Sequence, residues 1–119
     1  MKPSTRTTGS AGEKLAMVWL QKKGFTIIDQ NYHGPYGEID IVAQKNGILH
    51  FVEVKTRLND IYGTPLESIT PQKIQRLRKT VYRYLEEKHP IAVDYQIDFI
   101  GIRKGLDNRF FVSYIPQIT

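Results

Sequence analysis

The sequence predicts an α/β domain in which a mixed sheet is flanked by helices, and three observations carry that expectation. Two stretches repeat apolar residues at the 3.6-residue period of a helix. Several others alternate or run β-branched, as strands do. One of the helices separates two strand-like segments and can therefore serve as a right-handed crossover between parallel neighbours. The chain of 119 residues suits a single domain, expected over residues 10–119, with residues 1–9 (MKPSTRTTG) as a flexible polar arm.

From Ala11 to Lys23 the residues Leu15, Ala16, Trp19 and Leu20 form a helical stripe, and Gly24 is placed to end it. Ser10 and Glu13 have the S-x-x-E spacing of a capping box at its start. Phe25–Asp29 reads as a strand, and Asn31–Gly37 (NYHGPYG), dense in turn formers, as a loop. Ile39, Ile41 and Ala43 alternate with polar residues, Asn46-Gly47 is a hairpin turn, and Ile48–Arg57 is the return strand. Leu58–Thr70 lacks a period and is expected as a surface loop beside the hairpin. Thr70-Pro71 reads as N-cap and first helical position, with Ile74, Leu77, Val81, Tyr84 and Leu85 as one stripe down to about Lys88. His89-Pro90 stops that helix, and Tyr95–Arg103 and Arg109–Ile115 are strands either side of a turn near Gly105. The order is αβββαββ, with the aromatic residues of the strands, Tyr82 and Tyr84 expected in the core.

Composition removes several function classes. Without cysteine there is no disulfide framework, thiol nucleophile or thiolate zinc site. No run is long and apolar enough for a membrane helix and the N-terminus lacks a signal peptide's apolar core, so a cytoplasmic protein is expected. The glycines lack phosphate-loop and dinucleotide spacings, and no serine has a hydrolase elbow around it. The three histidines are scattered, and His50 is expected to be packed or at the rim, with Asp98 a secondary candidate. Lys plus Arg number 17 against 12 Asp plus Glu, a net charge of +5, which favours a polyanionic partner.

The hairpin then concentrates the chemistry. Counting back from Asn46-Gly47 sets Asp40 opposite Glu53 and Glu38 opposite Lys55, with cross-strand Cβ atoms roughly 4.5 to 5.5 Å apart. Like charges directly opposite are destabilising, so such a pair needs either screening at an exposed edge, with a Glu38–Lys55 ion pair, or a divalent cation between the carboxylates. The apolar neighbours Ile39, Ile41, Val52 and Val54 favour the cation. Lys55 follows Glu53 by two and shares its face. Oxygen ligands without His or Cys suit Mg²⁺ or Mn²⁺. A lysine beside them could orient or deprotonate water and offset charge on a phosphate in transit, as phosphodiester hydrolysis requires.

Gly12-Glu13, the run Gly37-Glu38-Ile39-Asp40 and the run from Phe51 to Arg57 (FVEVKTR) resemble the bacterial YraN family. Its members are predicted endonucleases related to archaeal Holliday-junction resolvases, within the PD-(D/E)xK superfamily. The resemblance spans Gly12 to Ile102. It implies a restriction-endonuclease-like core, with Asp40 and Glu53 as metal ligands, the Val54 carbonyl as a further ligand and Lys55 as the catalytic lysine. Ile39 stands where the superfamily motif has Pro, a variable position. Resolvase-like enzymes also carry a first-helix glutamate as a metal or water ligand, which gives Glu13 a site reading beside its capping one. Glu38 is expected to support the site by positioning Lys55, with a distant ligand role as the alternative.

On the second helix Arg76, Lys79 and Arg83 lie opposite the apolar stripe, and Lys73 and Arg78 flank it, with no acid from Lys73 to Arg83. Lys73, Arg76, Lys79 and Arg83, together with Thr56 and Arg57 beyond Lys55, are the expected nucleic-acid contacts, against the plainer reading of a solvated face. The expected function is metal-dependent endonuclease action on DNA, branched or structured DNA included, with nucleic-acid binding without turnover as the alternative. Symmetric cutting of two strands would favour a homodimer.

Overall fold

A computed structural model describes residues 5–59, 63–88 and 93–119. The elements are α1 (Thr5–Lys22), β1 (Thr26–Gly34), β2 (Gly37–Lys45), β3 (Ile48–Arg57), a short 3₁₀ turn (Leu66–Ser68), α2 (Pro71–Lys88), β4 (Tyr95–Lys104) and β5 (Phe110–Ile115). One five-stranded sheet takes them in the order β1-β2-β3-β4-β5. Every neighbouring pair is antiparallel except β3 and β4, which are parallel across the α2 connection. This is the mixed sheet that the element order predicts.

Each helix covers one face. Ala16 and Leu20 of α1 pack with Phe25, Ile41, Ala43, Val52, Ile100 and Ile102. Leu77, Val81 and Tyr84 of α2 pack with Ile39, Val42, Leu49, Phe51 and Ile97 on the other. Tyr84 is in the core as expected, whereas Tyr82 is exposed. The ends follow from local chemistry. Gly24 takes a φ of +94°, its amide donates to Gln21 and that of Phe25 to Leu20, a Schellman arrangement that occupies carbonyls otherwise left bare. At the start of α2 the Thr70 hydroxyl accepts from the Lys73 amide at 3.2 Å, with Pro71 at the first helical position.

Two boundaries differ from the sequence reading. The first helix begins at Thr5 rather than Ala11, so Ser10 lies within it and is not its N-cap. Once the packed turns exist, polar residues of middling propensity extend a helix at little cost. Half of the expected arm, Thr5–Gly9, is therefore helical, while residues 1–4 lie outside the described residues. The first strand runs to Gly34 instead of ending at Asp29, because β2 pairs with it as far as Gly34 and Gly37. A register shift between Ile27 and Asp29, and Asn31 at a φ of +52°, absorb the irregular sequence. His89-Pro90 and part of the expected 58–70 loop fall outside the described residues.

His50 and Asp98 are buried together away from the acidic hairpin end. Asp98, fully buried, accepts from Tyr114 Oη at 2.7 Å, Gln96 Nε2 at 2.8 Å and the Gln117 amide at 3.0 Å, and meets His50 Nδ1 at 2.6 Å. A buried carboxylate so supplied ties β3, β4, β5 and the C-terminal segment together.

Candidate metal centre

The β2–β3 hairpin has the register counted from Asn46-Gly47, Lys45 with Ile48 through Ile41 with Val52. The ladder stops there. On its other edge β3 pairs with β4 from Leu49 to Arg57, so among the described residues Glu53–Arg57 keep the β4 partner alone, from Phe99 to Arg103. The sheet thus forks between β2 and β3, and Asp40 turns its carboxylate into the gap, where Oδ2 accepts the Val54 amide at 2.8 Å. Asp40 and Glu53 are therefore not the cross-strand ladder pair that the count implied. The Glu38–Lys55 ion pair does not form either, because Glu38 pairs with His33 of β1, Nδ1 to Oε2 at 3.2 Å.

Helix α1 closes one side of the fork. Gly12 is buried against β3, and a Cβ there would collide with Thr56 Oγ1. That close approach brings Glu13 over the hairpin, where carboxylate oxygens of Glu13, Glu38 and Asp40 all lie within 4.8 Å of one another. These three can hold a metal ion. Glu38, read from the sequence as a supporting residue, belongs to this set, whereas Glu53 stands beside it. Glu53 nonetheless remains next to Asp40, whose carboxyl it hydrogen-bonds, and the β1–β2 pairing brings Glu38 back toward both. A polar cleft of about 620 Å³ unites them, lined by Ser10, Glu13, Asn31, His33, Glu38, Asp40, Glu53, Val54, Lys55 and Lys73.

The electrostatics are those of crowded, partly buried acids. Burial holds the Asp40 carboxyl well above the usual carboxylate range; the charge of Glu53 adds to the rise and the Val54 amide opposes it. Burial also raises Glu53, against the opposing charge of Lys73, and Glu13, where the charge of Glu38 adds to it. Lys55 is lowered by burial, then by the charges of Lys73 and Arg57. Acids this reluctant to ionise, with oxygens so close, form a donor set suited to a hard cation.

The basic residues divide. Lys73 lines the cleft and Arg76 its smaller lobe of about 210 Å³ toward α2. The ammonium of Lys79 lies 5.3 Å from the ring centroid of Tyr36. The Nε of Arg57 is buried with no hydrogen-bond partner among the described residues. Arg83 is held by Glu87 at 3.0 Å, so its charge is shared within α2. Thr56 corrects the sequence reading, because its hydroxyl is buried against Gly12 and packs the helix instead of facing a ligand. Asn31 and His33 were missed because their run reads as a loop. Counting a register back from a Gly34–Gly37 turn would have placed them beside Asp40 and Glu38.

The forked mixed sheet, with its acids and lysine at the fork, defines an α/β protein of the restriction-endonuclease-like fold class. The chain belongs to the family described as "Uncharacterised protein family UPF0102", whose family model matches residues 12–102, in agreement with the resemblance to YraN. A UPF0102 protein of Wolinella succinogenes is 42% identical over 115 residues, 97% of this chain and 98% of the relative. One from Carboxydothermus hydrogenoformans is 40% identical over 113 residues, 95% of each chain. Another from Nitratiruptor is 44% identical over 97 residues, 82% of this chain and 83% of the relative.

Proposed function

We propose that this protein is a metal-dependent endonuclease that hydrolyses phosphodiester bonds in DNA, acting in the cytoplasm on branched or otherwise structured DNA. The observation that carries the reading is the grouping of Glu13, Glu38 and Asp40 in a cleft that also holds Glu53 and Lys55. A bound Mg²⁺ or Mn²⁺ would supply Lewis-acid stabilisation of phosphate oxygens and a more acidic water. Asp40, Glu13 and Glu38 would hold it, with Glu53 completing or ordering the set. Lys55, its pKa lowered, would take a proton from an attacking water or offset charge as it grows on phosphorus. Lys73 would neutralise the backbone entering the cleft, and the Nε of Arg57, without a partner among the described residues, would gain an acceptor from a phosphate oxygen.

The test is cleavage of branched, single-stranded and duplex DNA with Mg²⁺, with Mn²⁺ and in chelator, alongside binding. Metal-dependent cleavage is expected, lost in Lys55→Ala while DNA binding remains, because the lysine acts as charge develops. Unchanged turnover in that variant would remove Lys55 from the mechanism. Salt-sensitive binding without cleavage by the wild type under any metal would assign the protein to nucleic-acid binding alone.

A further inference from the structure

The β1–β2 turn presents a feature that the acidic centre does not use. Tyr36 sits at its tip, 53% exposed, yet lines the 210 Å³ lobe together with Glu38, Asp40, Glu53, Lys73 and Arg76. The turn is firmly seated. Gly37, at a φ of +147°, takes a conformation that side chains disfavour. Gly34 and Gly37 flank Thr80 of α2, itself buried, with its hydroxyl on the Arg76 carbonyl at 2.8 Å. The Lys79 ammonium lies over the Tyr36 ring, attracted by the negative π-face. An aromatic ring is thus held, part-exposed, in the wall of the same lobe as the acids, with cations around it.

The geometry points to Tyr36 as a stacking platform for one unpaired base next to the phosphate held at the acidic centre, with Lys79 backing the ring and Arg76 and Lys73 flanking it. This rests on the nucleic-acid reading of the site and adds its substrate preference. A ring at this position can stack on a base only if that base has left its neighbours, so unpaired DNA makes an interaction that continuous duplex lacks. The lobe is on the scale of a single base, and its basic rim serves the backbone on either side.

The experiment uses the full chain with Ca²⁺ in place of Mg²⁺ and oligonucleotides carrying 2-aminopurine, single-stranded, fully duplex or in a splayed fork. The readouts are affinity by anisotropy and stacking by fluorescence quenching. Wild type should quench the probe in the single strand and the fork. Tyr36→Ala should weaken binding to those two substrates by about ten-fold, with loss of quenching, and leave duplex affinity within about two-fold. Tyr36→Phe, which keeps the π-face, should behave as wild type. Equal weakening on all substrates, or none, would overturn the platform while leaving the acidic centre's role intact. No binding of any DNA by the wild type would overturn both the platform and the reading beneath it.

Discussion

Asp40 performs two tasks that respond differently to substitution. Its Oδ2 accepts the Val54 amide, a bond that holds the fork open at a fixed width, while its charge is opposed by burial and by Glu53. Asp40→Asn keeps an acceptor and cannot ionise, so in chelator the melting temperature should be unchanged near neutrality and higher where Asp40 would lose its proton, with stabilisation by Mg²⁺ abolished. Asp40→Ala strands the Val54 amide and should cost about 1–3 kcal/mol in chelator. Thermal melts with and without Mg²⁺ measure both, and a marked fall for Asn would show that repulsion is not what Asp40 contributes. The same acids set a pH dependence. Asp40, Glu53 and Glu13 have folded-state pKa values above the ordinary carboxylate range, so the folded chain retains protons that the unfolded chain has released. Metal-free stability should therefore fall as pH rises from about 4 through neutrality. Denaturant titrations of wild type and an Asp40→Asn/Glu53→Gln variant should show that slope flattened in the variant; an equal slope would place its origin elsewhere.

At the scale of elements, α1 depends on one missing side chain. Replacing a helix-interior glycine by alanine ordinarily gains roughly 0.5–1 kcal/mol. At Gly12 the new Cβ meets Thr56 Oγ1, and forcing extra volume into a packed interface costs about 1–3 kcal/mol. Gly12→Ala should therefore destabilise the fold, and because α1 would be lifted from β3, weaken Mg²⁺ binding through Glu13. Adding Thr56→Ala should restore much of both, as read by denaturation and metal titration; no rescue would mean that this packing does not set the helix position. The legibility of the sequence follows the same division. Asn46-Gly47 fixed a register, the Thr70-Pro71 cap fixed the start of α2, and Gly24 the end of α1, since each is a local rule. The fork was not legible, because beyond Val52 β3 stays paired with β4 while β2 stays paired with β1, an outcome that depends on a strand far along the chain. Glu13 and Asp40 were found through their motif context. Glu38's place in the acidic group and the contribution of Asn31 required the β1–β2 turn, whose residues look like a loop until β2 supplies the pairing.

Across the whole molecule, the acids at the fork face a rim of cations on α2 and at the end of β3, so the net charge of +5 is spatially sorted. Replacing Arg76 and Lys79 by Gln should lower the slope of log affinity for duplex DNA against log salt by roughly 0.9 for each phosphate that is no longer neutralised. Adding Arg83→Gln should change it less, because Glu87 already engages that guanidinium. An unaltered slope for the double variant would leave Arg57 and Lys73 as the electrostatic anchors. The parallel pairing of β3 with β4 has a further consequence, one of timing. Glu13, Glu38, Asp40, Glu53 and Lys55 all lie in the first half of the chain, and β1, β2 and β3 can assemble as neighbouring hairpins. Among the described residues the Glu53–Arg57 stretch nevertheless has only β4 beside it in the sheet, so the centre is expected to take shape after Tyr95–Lys104 has docked, the pairing with the longest loop to close. A cation held by those acids would then arrive too late to hasten folding, and its effect would fall on the rate of coming apart.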